Sequence, residues 1–105
     1  MTYPEMLILN KQVQDSEAGK MRNSKWMPVF SIADAWEVVT LLHSQGWQFD
    51  VDMYEGEPTV ACFYRKQDDY GRVDPHCASG ETAPVAICRA ALDVYNNGGD
   101  QNRQR

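Results

Sequence analysis

The chain has 105 residues, 43% of them hydrophobic and 24% charged, a length and balance that set a single globular domain with one modest core. Its net charge of -5 and pI of about 4.8 exclude a broad basic footprint, so nucleic-acid binding is not expected and a protein partner is, a basic surface being its natural complement. No stretch approaches the ~18–20 apolar residues of a membrane span, and residues 6–9 follow no basic segment and are too short for a secretion signal, so the chain is expected in the cytoplasm.

Residues 2–13 read as a short helix. Thr2 or Tyr3 caps it, Pro4 sits where a missing N–H costs nothing, and Met6, Leu9 and Val13, with Leu7, supply an apolar side. Residues 14–25 form a polar linker without periodicity. Residues 26–30 are apolar but broken by Pro28, which predicts an extended segment laid on the core or a short edge strand.

Residues 31–46 give the strongest helix. Ser31 is the N-cap, Asp34 suits the positive end of the helix dipole, and Gly46 ends it. Ile32, Ala35, Trp36, Val39 and Leu42 form the predicted buried stripe, with Val38 on its margin. Trp36 is expected to anchor the core, so that its loss to alanine would cost about 3–5 kcal/mol.

Residues 47–54 alternate as a strand, with Trp47, Phe49, Val51 and Met53 on one face and Gln48, Asp50, Asp52 and Tyr54 on the other. A turn over 55–58 leads to a return strand over 59–66. Its middle is apolar on both faces, which predicts a central strand covered on both sides. Residues 67–80 are long and polar, with room for a third short strand near Arg72 and Val73 or over 76–78.

Thr82 caps a closing helix with Pro84 in its first turn. Pro84, Ile87, Ala91 and Val94 fall on one stripe, widened by Cys88, Leu92 and Tyr95. Ala83, Ala86 and Ala90 make a small-residue strip open to close backbone approach. Arg89 and Asp93 are placed to pair at i,i+4. Asn96, Asn97, Gly98 and Gly99 end the helix, since Asn and Gly tolerate the left-handed conformation of a C-cap. The domain is expected to span 1–95, with 96–105 a disordered tail. The core is expected to hold Trp36, Val39, Leu42, Phe49, Val51, Val60, Cys62, Ile87, Ala91 and Leu92.

No catalytic constellation and no cofactor motif stands out. Asp50 and Asp52 share a strand face about 7 Å apart, but two carboxylates without a third ligand read as a solvated face. Asp74, His76 and Cys77 bring a carboxylate, an imidazole and a thiol together, yet metal sites need three or four ligands and Pro75 makes a turn the simpler reading. His43 near a helix end suits the helix dipole. Cys62, Cys77 and Cys88 have none of the short spacings of a zinc knuckle or redox dithiol, and Cys62 and Cys88 read as small core residues whose thiols stay reduced. No metal site is expected. The aromatic and basic residues Tyr64, Arg65, Tyr70 and Arg72, with Lys66 among them, form the best candidate ligand site, for a nucleotide or other anion, although Asp68, Asp69 and Asp74 dilute it.

Three segments together resemble a known family. They are Ala-Trp-Glu-Val-Val at 35–39, Gly-Trp-Gln-Phe at 46–49 leading into a hairpin, and Ala-Pro-Val-Ala-Ile-Cys-Arg-Ala-Ala-Leu at 83–92. In that order they are similar to the small phage-encoded proteins that carry the phage ABA sandwich domain, over most of the chain from Glu5 to Tyr95. The resemblance implies an α+β fold in which a small antiparallel sheet is packed with helices as an α/β/α sandwich. It also implies a phage or prophage setting in a bacterial host cell. It implies no established biochemical activity, so it carries over no catalytic residue, and its closing-helix motif consists of packing positions. The expectation is therefore a non-enzymatic accessory protein that binds a host or phage protein, self-associating as a homodimer where a sheet edge is open. The alternative is a small-molecule or nucleotide binder at Tyr64 to Arg72.

Overall fold

The computed structural model describes residues 1–20, 22–23, 25–65 and 75–98. Helix α1 (Tyr3–Gln14) and helix α2 (Ile32–Ser44) come first. Strands β1 (Gln48–Asp52), β2 (Thr59–Tyr64) and β3 (His76–Gly80) follow, and helix α3 (Ala83–Asp93) closes the fold. The strands make one antiparallel sheet in the order β1-β2-β3. The fold is α+β, a small antiparallel sheet packed with helices.

Local chemistry explains where most elements begin. Thr2 and Glu5 close a full capping box at α1: the Thr2 hydroxyl accepts from the Glu5 N–H, and the Glu5 carboxylate accepts from the Thr2 N–H at 2.7 Å. Ser31 caps α2 by accepting from the Asp34 N–H, and Thr82 caps α3 by accepting from the Val85 N–H. Helix α2 ends in a Schellman motif. The Trp47 N–H reaches the Leu42 carbonyl, the Gly46 N–H reaches that of His43, and Gly46 takes a φ of 99°. That reversal drops Trp47 into the core at 3% exposure and starts β1.

Three predicted segments come out differently. Residues 26–30 are not a strand. Pro28 removes a ladder donor, and the segment turns into α2 with the Phe30 and Ser31 N–H groups on the Met27 carbonyl. Side chains bond three more of its backbone groups: Asn10 accepts from the Val29 N–H, Asp34 from the Met27 N–H, and Gln14 donates to the Trp26 carbonyl. The linker holds a 3-10 turn, Glu17–Gly19, capped by Ser16 and burying Ala18. Helix α3 runs on into a π turn, Val94–Gly98, and no described non-glycine residue takes a positive φ, so the left-handed Asn cap does not form. The third strand is found at the 76–78 alternative. The other one, Arg72 and Val73, lies outside the described residues, as do Lys66 and the tail from residue 99.

Helix α3 is the centre of the domain. Val85, Ala86, Ile87, Cys88, Ala90, Ala91 and Val94 are all buried, so nearly its whole circumference is covered. The small-residue strip does bring a backbone close. A Cβ added at Gly80 would lie 2.8 Å from the Ala86 nitrogen and 2.7 Å from Val85 Cγ1, so β3 crosses α3 where no larger residue fits. Burial pushes the Cys88 thiol up to about 12, which makes it an inert core group.

The predicted core needs correction at three positions. Trp36 is 51% exposed and Val51 is also exposed, while Cys62 is half-buried and bonded to Cys77. Helix α2 is apolar over a wide arc, and the buried part is Ala35, Val38, Val39 and Leu42. The sheet ends at β1, and among the described residues no further strand lies beyond it to cover the Ile32 and Trp36 side. Phe49, Val60 and Leu92 are half-buried. Phe63, Trp26, Trp47 and Val29 are core residues that the stripe reading left out. Strand β2 is central, as predicted, but only one of its faces is fully covered: Thr59, Ala61 and Phe63 are buried, and Val60, Cys62 and Tyr64 are half-buried.

Candidate functional site

The register sorts the candidate residues by face. Phe49, Phe63 and His76 stand opposite one another across the three strands, and so do Asp50, Cys62 and Cys77. Neighbours along a strand point to opposite faces. His76 and Cys77 therefore cannot meet at one centre. Cys77 is bonded to Cys62 on the outer face, so the expectation of a reduced Cys62 in the core is overturned: only the register brings together two cysteines separated by 15 positions. Asp74 lies outside the described residues.

His76 is instead buried against α3. Its Nδ1 lies 2.5 Å from Asp93 Oδ2, and its ring packs edge-on against Trp47 at 5.5 Å between centroids. Asn97 donates to the other Asp93 oxygen at 2.7 Å. Asp93 thus does not pair with Arg89, whose guanidinium reaches across to the Ser79 carbonyl at 3.0 Å. Burial alone would raise the Asp93 carboxyl; hydrogen bonds from His76 and Asn97, with attraction to His76, outweigh it and hold it below the usual carboxylate range. A depressed carboxyl contributes stability above its unfolded value, and that contribution is lost as pH falls through the folded one. Asp93→Asn should therefore be less stable than the parent near neutrality. The gap should close as pH drops below about 4, a trend that urea melts over a pH series would reveal; a constant gap would mean that Asp93 acts only through packing.

Of the four candidate ligand residues, the structure describes two. Arg65 lies over the Trp47 ring, 4.3 Å from its centroid, and Tyr64 is half-buried on the outer face. Burial, with the Asp50 carboxylate beside it, holds the Tyr64 phenol above its ordinary value. Tyr70 and Arg72 lie outside the described residues. His43 turns its Nδ1 to the Trp47 carbonyl at 3.1 Å, tying the end of α2 to the start of β1. Among the described residues no three His, Cys, Asp or Glu side chains converge as a metal site would require, and no helix is long and apolar enough to cross a membrane.

The feature the sequence did not announce lies between α2 and β1. Trp36 packs edge-on against Phe49 at 5.7 Å, and these two, with Val39, His43 and Tyr64, line an open groove of about 530 Å³. Ile32, one turn before Trp36, is 53% exposed, and Met53, past the end of β1, is 68% exposed. Val51 lies between Phe49 and Met53 on the same strand parity. Helix and strand spacing thus set Ile32 beside Trp36 on α2 and Val51 and Met53 beside Phe49 along β1, and exposed large apolar side chains so grouped mark an interaction surface more often than isolated ones do. The warning in the sequence was that both strand and helix were apolar over more positions than one three-stranded sheet can cover.

A search among curated proteins and solved structures finds no match. The family model for the phage ABA sandwich domain matches residues 5–92, nearly the whole span of the three helices and the sheet, and with it the chain belongs to the phage ABA sandwich domain family.

Proposed function

We propose that this phage-family chain is a non-enzymatic accessory protein that works by binding another protein in the cytoplasm of a bacterial host. The observation that carries this reading is the exposed shelf of Ile32, Trp36, Val51 and Met53. A 105-residue domain leaving an aromatic and three aliphatic side chains open beside a sheet edge is built more like half an interface than like a reaction vessel. The net charge of -5 favours a partner with a basic surface. The His76–Asp93 pair supports no competing catalytic reading, because it joins β3 to α3 and the neighbouring Cys77 lies on the opposite face in a disulfide.

Native mass spectrometry after incubation in bacterial lysate and re-isolation tests the reading. The expected result is a retained protein whose capture weakens with salt. A retained mass of a few hundred daltons, lost on Arg65→Ala, would overturn it in favour of a small-ligand binder at Tyr64 and Arg65. The same spectrum gives the homo-oligomer mass directly.

A further inference from the structure

We propose that the outer edge of β1 takes up an extended strand of the partner, one that alternates apolar side chains with lysine or arginine; this rests on the protein-binding reading above and gives it a place.

Strand β1 ends the sheet, and no other described strand pairs with its outer side. Which backbone groups face outward follows from the register. Cys62 and Cys77 stand opposite each other with Cα atoms 4.1 Å apart, the close spacing of a pair that exchanges no backbone hydrogen bonds. The N–H and C=O of Cys62 therefore turn towards β1 and bond Asp50. By the same alternation the N–H and C=O groups of Phe49 and Val51 lie on the free edge. The opposite edge is engaged at one point. There Ser79 has the outward-facing carbonyl, and Arg89 of α3 donates to it at 3.0 Å. Among the described residues, the β1 edge is the one whose outward backbone groups lie beside an apolar groove.

The two faces of an added strand would meet different surroundings. Side chains of one parity would enter the groove against Trp36 and Phe49 and run along Val51 and Met53. Those of the other parity would lie beside Asp50 and Asp52, close to the turn that carries Glu55 and Glu57. Charge selects the occupant. Pairing β1 with β1 of a second copy would set Asp50 and Asp52 against the same carboxylates, and like charges directly opposite destabilise a ladder. Charged residues on an edge strand are also a known barrier to self-pairing. A strand with lysine or arginine at those positions converts the repulsion into attraction, while its backbone completes the ladder.

The probe is an acetylated seven-residue peptide alternating lysine and valine, titrated calorimetrically into the full chain. A glutamate–valine peptide and a lysine–valine peptide N-methylated along one edge serve as controls. The lysine–valine peptide should bind at least about tenfold more tightly than either control, and Asp50→Lys with Asp52→Lys should reverse the preference between lysine and glutamate. Val51→Pro, which removes an N–H only from the free edge, should abolish binding while the domain still melts cooperatively. Equal affinity of the N-methylated and unmodified peptides would overturn strand addition even if Val51→Pro failed to fold. A dimer that Val51→Pro dissociates, with no peptide bound by the parent, would overturn it in favour of a second copy. A lysate protein retained equally by the parent and the charge-reversed chain would leave protein binding standing and sink this edge as its site.

Discussion

Phe63→Ala should destabilise the domain by about 3–5 kcal/mol, a large part of the ~5–15 kcal/mol that holds a typical domain folded. Phe63 is fully buried at the middle of the sheet. It stands between Phe49 and His76 in the ladder, and its ring lies 4.9 Å from that of Phe49. Its neighbour on the same face is Ala61, too small to refill the space, and α3, the helix packed on this sheet, buries mainly short side chains. The cavity would stay open, and the full cavity cost would apply. Trp36→Ala should cost only about 1 kcal/mol, mostly the edge-on contact with Phe49, because half of the indole is already in water. The same substitution should weaken lysine–valine peptide binding. Urea melts of the two variants side by side check the contrast. A Trp36→Ala midpoint as low as that of Phe63→Ala would show that α2 buries its Trp36 side after all.

That contrast also shows what the sequence could and could not reveal. Element starts were legible because caps are local: Thr2, Ser31, Thr82 and Gly46 act on backbone groups within a few positions, and each behaves as its type predicts. The family motif at 83–92 was legible too, since a helix buried nearly all round must be small and apolar throughout. Which part of a wide apolar arc is buried was not legible. Helix α2 offers Ile32 and Trp36 as readily as Val38, and only the three-strand width of the sheet decides between them. The phase of β1 was read correctly, but its burial was not, because an edge strand keeps the alternation of a covered one. The groove between α2 and β1 was not legible either. Tyr64 and Arg65 were singled out by residue type, whereas the groove depends on how far α2 and β1 leave each other uncovered. The His76–Asp93 pair joins a strand to a helix 17 positions away, and nothing in that spacing announces it.

Breaking the Cys62–Cys77 bond should cost about 3 kcal/mol, the chain-entropy value for a closed loop of roughly 15 residues. At about 4–8 °C per kcal/mol for a small domain, that is a fall in Tm of roughly 12–24 °C. The bond joins directly opposed residues of β2 and β3, so it adds little to native contacts the ladder already makes. Its effect is to restrict the unfolded chain between them. Two controls make the result specific. Reductant should lower the Tm of the parent and leave Cys62→Ser with Cys77→Ser unmoved. Alkylation of the denatured, unreduced parent should label one thiol, Cys88, which is the free cysteine of the structure. With its thiol pushed up to about 12 by burial, Cys88 has almost no thiolate with which to attack the bond while the domain is folded. Exchange with a cellular dithiol must therefore come from outside, at the solvent-exposed Cys77. In any compartment that keeps thiols reduced, the less stable dithiol form is the one expected. Because the bond lies between β2 and β3, its loss should leave the β1 edge in place. Equal lysine–valine peptide affinity for the oxidised and reduced chain, at a temperature where both are folded, is the expected result; loss of binding on reduction would mean that the register of the whole sheet depends on the bond.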